Sequence, residues 1–321
     1  MSGSTGMATA DAPAWEALAI AKGKKVFELP RPLAPLMDTH AHLRSFWKLD
    51  AATALQRAAV AGVRALITLY DPIADATSET PDAAAFGTWL RAQAAGVPSL
   101  HIRYLVGVHP YGAGVYADGV HAQIERALSD PWCAGIGEIG LDYHIDADDA
   151  PKPAPRELQM EVMARQLTLA HAHNVPVELH LRNDAGDTER RAHADAAQVL
   201  SEVGVPAAGC VLHCFGEDAP TMERFVALGC HIAFGGAATF KRNEAVRSAF
   251  AACPLERLLL ETDCPYMAPE PVRGVECEPA LIAQTADMLI YDRADRTGEL
   301  PIHIAEAVWE TSTALFGGHD E

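Results

Sequence analysis

From about residue 36 onward the chain switches eight times between a short apolar segment and a longer stretch with helical periodicity. Strands are predicted near 36–42, 65–70, 102–108, 133–139, 176–181, 210–215, 231–235 and 258–263. Helices are predicted near 50–61, 82–95, 119–128, 156–173, 188–203, 219–228, 243–251 and 278–290, with a last one near 302–315. Strict alternation of this kind specifies an α/β chain closed into a (β/α)8 TIM barrel, and 321 residues fall within the range of one such domain. An open doubly wound sheet would alternate in the same way. It would need a phosphate loop such as GxGxxG after its first strand, and the sequence has none. Residues 1–35 read as an N-terminal extension, with a short helix near Trp15–Ala21 and then the proline-rich LPRPLAP, and residues 36–321 read as the barrel.

The polar residues on these strands carry the functional signal. The segment CAGIGEIGLDYH places Glu138 in the middle of an apolar run, with no Lys or Arg within the strand or just after it. A buried carboxylate costs several kcal/mol unless a cation or hydrogen-bond donor meets it, roughly on the scale of a broken ion pair. Glycines around the acid allow close approach by backbone, substrate or metal. The first strand ends in His40 and His42, two apart and so on one face. The fifth carries His180, the sixth His213, and the eighth ends in Asp263. A single histidine on an apolar strand is more often a hydrogen-bonded core residue than a ligand. Six metal-competent side chains at the C-terminal ends of five strands are a different matter, because that face is where barrel enzymes build their active sites. His109 and His144 are also placed near this face and are candidates for substrate contact; the remaining histidines fall at strand starts, on helices or in the tail.

Charge, cysteine content and hydropathy limit the partners. A net charge of −18 disfavours a nonspecific polyanion-binding surface. Seven cysteines without CxxC spacing argue against a disulfide framework or a cysteine zinc site. No apolar run reaches the length of a membrane span and the N-terminus lacks the pattern of a signal peptide, so a cytoplasmic protein with no membrane partner is expected.

The motifs DTHAHL, VGVHP, GEIGLDYH, VPVELHLRND, VLHCF and LLLETDCPYMAP, followed by RGVECEPAL, resemble those of the TatD family of metal-dependent hydrolases, within the amidohydrolase superfamily of barrels. The resemblance runs from about Asp38 to Phe316. It implies two divalent ions (Mg, Mn or Zn), one held by His40, His42, Glu138 and Asp263, the other by Glu138, His180 and His213, with Glu138 bridging. It also implies that Arg273 and Glu278, in the loop after the eighth strand, shape the pocket. An asparagine expected in the final helix motif is replaced within ETSTALF, and two segments nearer the ligands also depart from the family. Gly216, Glu217 and Asp218 stand where a hydroxyl-bearing loop is usual, and the stretch after His180 is longer and heavily charged.

Beside the ligands, alternation puts Asp38, Glu178 and Glu261 on the inward face, either bonded to ligand imidazoles or as a polar layer bridged by water. The same alternation turns Cys214 and Cys264 away from the metals and aims Arg182 alongside His180, toward a substrate oxyanion or a surface ion pair. Asp263 is the expected base and Glu138 the second catalytic carboxylate. The expected substrate is a phosphodiester at the end of a short single-stranded nucleic acid. The alternatives are a small amide, lactone or ester, or an inactive barrel used for binding.

Overall fold

In the computed structural model, which describes residues 18–145 and 153–317, the eight predicted barrel strands all form. A hairpin precedes them, β1 (Ala19–Lys22) and β2 (Lys25–Glu28), paired antiparallel about Gly23. The barrel strands are β3 (Leu36–Ala41), β4 (Val63–Tyr70), β5 (His101–Val106), β6 (Cys133–Asp142), β7 (Val177–Arg182), β8 (Cys210–Leu212), β9 (His231–Phe234) and β10 (Leu258–Leu260). They run parallel in sequence order. A parallel bridge from Ala41 to Cys264 brings the first and last together, and His42 N–H donates to the Cys264 carbonyl at 2.8 Å.

The helices are α1 (Ala51–Val60), α2 (Ala83–Ala94), α3 (Asp118–Ala127), α4 (Arg156–His173) and α5 (Arg191–Val203). They continue with α6 (Ala219–Leu228), α7 (Glu244–Ala252), α8 (Ile282–Thr297) and α9 (Pro301–Phe316). Three helix starts are set by side-chain caps: Asp50 accepts from Thr53 N–H, Asp82 from Ala85 N–H and Asp218 from Thr221 N–H. One apolar cluster fills the space between strands and helices. A smaller one, including Met37, Ile67, Leu105, Val211 and Leu259, is closed by Phe316 at the end of α9. Among the described residues no helix is long and apolar enough to cross a membrane.

The short helix expected near Trp15–Ala21 is not what its described part forms. Ala19–Ala21 belong to β1, Ile20 is buried, and Lys22 Nζ donates to the Pro271 carbonyl at 2.9 Å. The hairpin gains its stability from packing on the barrel, which a local helical pattern does not reveal.

The glycines of β6 serve the backbone of the neighbouring strand. A Cβ at Gly135 would lie 2.3 Å from the Pro176 carbonyl oxygen, and one at Gly140 2.2 Å from that of His180. Gly140 also has φ +139°, which strains any side chain. Gly140→Ala is therefore expected to destabilise the fold by about 2 kcal/mol or more, as overpacking against rigid backbone does. A denaturant midpoint equal to wild type would contradict this close approach.

Candidate metal centre

Two nests of donors open at the C-terminal end of the barrel and share one carboxylate. On one side His180 Nδ1 and His213 Nε2 stand 3.2 Å apart, with Glu138 Oε1 at 2.6 and 2.8 Å from them. On the other, His40 Nε2 and His42 Nε2 are 3.0 Å apart. Glu138 Oε2 lies 3.8 Å from both, and Asp263 Oδ1 lies 3.7 and 3.5 Å away. All six side chains singled out in the sequence thus meet in one place. His40, Glu138 and His213 form one group able to hold an ion, and His40, His42 and Asp263 form another.

Donor chemistry and spacing fit divalent metal. Ligands about 2.0–2.2 Å from one ion are separated from each other by about 3–3.5 Å, the spacing at which these two pairs of imidazole nitrogens stand. The electrostatics agree. His180 and His213 are desolvated, which alone would lower their pKa values, yet Glu138 together with Asp142 pushes His180 up to about 9, and Glu138 together with Glu261 pushes His213 well above its usual range. Burial would raise Glu138, but His213 and His180 hold it well below the carboxylate range. The cluster demands positive charge, and protons supply it where metal does not.

Surrounding groups orient the imidazoles. Glu178 Oε1 meets His40 Nδ1 at 2.6 Å, and burial lowers His40 to about 3, so its ring is neutral with Nε2 open toward the cluster. Asp142 Oδ2 meets His180 Nε2 at 3.1 Å. Asp142 was missed in the sequence, although it lies four residues after Glu138 with the same strand parity. Glu261 Oε1 is 3.7 Å from His213 Nδ1, too far for a hydrogen bond, and accepts instead from Cys214 N–H at 2.6 Å. Among the described residues, the second oxygens of Glu178 and Glu261 and the Nδ1 of His213 are buried and find no hydrogen-bond partner.

Of the three inward acids, Glu178 is the one bonded to an imidazole, whereas the Asp38 carboxylate accepts from Thr262 N–H at 2.9 Å and Thr262 Oγ1 at 2.6 Å, tying β3 to the segment after β10. One alternation-based expectation is corrected. Cys214 lines the cleft, since β8 ends at Leu212 and Cys214 turns at φ +46°. Burial, then Asp263 and Glu261, push its thiol well above the usual range and keep it protonated. Cys264 is buried as expected.

The cleft above the cluster encloses about 970 Å³. His109 lines it, with Nε2 at 3.8 Å from Glu138 Oε1 and its ring packed 4.5 Å from that of His180. Its Nδ1 accepts from Tyr111 N–H at 3.2 Å, which leaves the hydrogen of the neutral ring on Nε2, and burial lowers its pKa to about 3. Arg182 lines the cleft with Nη1 at 3.9 Å from Asp142 Oδ2. His144 and Arg273 are not among the lining residues; Arg273 lies over the Phe240 ring at 4.2 Å, and Glu278 is paired with Arg57 at 2.5 Å.

The two departures nearer the ligands meet each other. Arg190, from the long charged segment, reaches Glu217 and Asp218, each at 2.7 Å, and Thr221 at 2.9 Å. Asn183 bridges Glu217 and His193, both at 2.9 Å.

A parallel barrel with a histidine–carboxylate cluster at its C-terminal mouth defines the class of metal-dependent barrel hydrolases. Residues 37–317 match the family described as TatD-related DNase, and the chain belongs to that family. An uncharacterised metal-dependent hydrolase TatD of Mycobacterium tuberculosis is 31% identical over 259 residues, 79% of this chain and 89% of that protein. The crystal structure of YjjV, a TatD homologue from Escherichia coli, superposes with TM-score 0.70 at 29% identity, covering 88% of this chain and 98% of that one. A protein of Pantoea vagans named 3'-5' ssDNA/RNA exonuclease TatD is 30% identical over 203 residues, 62% of this chain and 73% of that protein.

Proposed function

We propose that this hydrolase cleaves phosphodiester bonds at the ends of short single-stranded nucleic acids, using two divalent ions of magnesium, manganese or zinc type. The observation that carries it is Glu138, whose two oxygens face two separate nests of imidazole nitrogen. His40, His42, Glu138 and Asp263 would hold one ion, and Glu138, His180 and His213 the other. When bound, such a pair acidifies a water and polarises the oxygen of the group under attack. Asp263 accepts the proton of the attacking water and delivers it to the leaving oxygen. His109 offers its Nε2–H, and Arg182 its guanidinium, to the substrate's phosphoryl oxygens.

The nucleic-acid reading draws on the activity in the name of the Pantoea vagans relative and on the pairing of Arg190. Glu217 and Asp218, the two acids gained there, share that guanidinium, which offsets half of their charge. Remote surface charge is screened beyond about 8 Å at physiological salt, so the overall −18 bears weakly on a strand end inside the cleft.

The second reading, a small neutral ester or lactone, is favoured by the cleft's own acids. Asp71, Asp75, Asp184 and Asp187 line it against a single arginine. Metal-loaded protein incubated with end-labelled single strands and with a panel of lactones and esters separates the two. Trimming of the strands is the expected result, with a shallow salt dependence from few phosphate contacts. Turnover confined to the neutral substrates would overturn it.

A further inference from the structure

We propose that Trp47 and Tyr266 form a stacking platform for an unpaired base of the substrate strand, an inference that rests on the nucleic-acid reading. The two rings are neighbours, centroids 6.2 Å apart and tilted 44° to each other, so that they offer two faces in succession, and Tyr266 stands edge-on to His42 at 6.1 Å. Tyr266 lines the cleft, so the pair begins at the metal centre and leads outward from it.

Exposure distinguishes this pair from core aromatics. Trp47 is 57% exposed, Tyr266 50%, and the neighbouring Met267 45%. Among the described residues the other tryptophans, Trp89, Trp132 and Trp309, are all half-buried. A tryptophan left in water forgoes the burial that makes the residue valuable to a fold.

The loop that holds it out is nevertheless fixed. Glu276, itself buried, accepts from the backbone N–H groups of Trp47 at 2.5 Å, Lys48 at 2.8 Å and Leu49 at 3.0 Å. A buried carboxylate bound to three consecutive amides sets the backbone there in one conformation. The ring is thus pre-positioned beside the cleft without being packed into the core. Lys48, next along the loop, is exposed and has no ion pair among the described residues. Flat aromatic faces with a cation beside them are what single-strand binders offer to bases and phosphates, and such stacking tolerates any base sequence.

The test compares a short single strand with an all-abasic strand of equal length, in which every nucleotide keeps its phosphate and loses its base. Metal-loaded wild type is expected to favour the base-bearing strand by roughly tenfold or more, read both as the KM ratio and by competition anisotropy with an internally labelled strand. Trp47→Ala should bring that ratio close to one, and Trp47→Phe should retain most of it. A structural role for Trp47 would instead weaken both strands equally, leaving the ratio unchanged, and that result would overturn the platform. So would strand cleavage by wild type with no preference for bases. Failure to cleave either strand under any divalent metal would be a separate result, overturning the nuclease reading and the platform with it.

Discussion

Glu138→Ala is expected to leave a folded protein that no longer retains a metal pair, with turnover reduced by at least about 10³-fold, the scale of losing several kcal/mol of charge stabilisation. The size of the effect follows from position. Glu138 Oε1 is within 2.8 Å of two imidazole nitrogens, and Oε2 faces two more at 3.8 Å, so a single truncation opens both nests. The fold is expected to survive because Asp142 still faces His180 Nε2 at 3.1 Å and Glu261 still lies beside His213, so neither ring is left without a carboxylate. Glu138→Gln, close to the same shape, separates loss of charge from creation of a cavity. Metal content after gel filtration, circular dichroism and turnover together form the check. A Glu138→Ala protein with two bound metals and full activity would show that the carboxylate does not bridge.

Much of the barrel was legible because its signals are local. Strand–helix alternation and polar residues ending apolar strands are both written within a few residues of where they act. The six clustered side chains were recognisable for the same reason: each interrupts or ends an apolar run where burial has to be compensated. What escaped depends on distance or on broken periodicity. Cys214 was misplaced because the strand ends two residues before it. The pairing of Arg190 with Glu217 and Asp218 joins segments nearly thirty residues apart, and neither segment read alone shows the other's charge being met. Each segment carries charge that the other partly offsets, one guanidinium set against two carboxylates. Asp142 is a different case, since its parity with Glu138 was available in GEIGLDYH.

Asp263→Asn is expected to keep the fold and part of the metal while lowering turnover about 10²–10⁴-fold, the range for loss of a positioned base. Asparagine preserves the shape and one acceptor oxygen, so the contacts of Asp263 Oδ1 with His42 and His40 at 3.5 and 3.7 Å have a neutral substitute. What it removes is the site for a proton. Burial alone would raise the pKa of Asp263, but the contact with His42 and the other imidazoles around it carry it below the usual value, so the group is ionised and ready to accept. A carboxylate held that low is a poor base toward ordinary water. It becomes competent toward a water already acidified, as a divalent pair would supply, which makes the base and the metal centre depend on each other. The backbone reinforces the placement: Asp263 sits at φ +53° just past β10, with its N–H donating to the His40 carbonyl at 3.0 Å. Its carboxylate is therefore set by the closure of the barrel and not by a mobile loop. Turnover and metal content must be measured on the same preparation. A large fall in turnover at substantial metal occupancy assigns the proton transfer to Asp263, whereas near-wild-type turnover with metal bound would exclude it as the base.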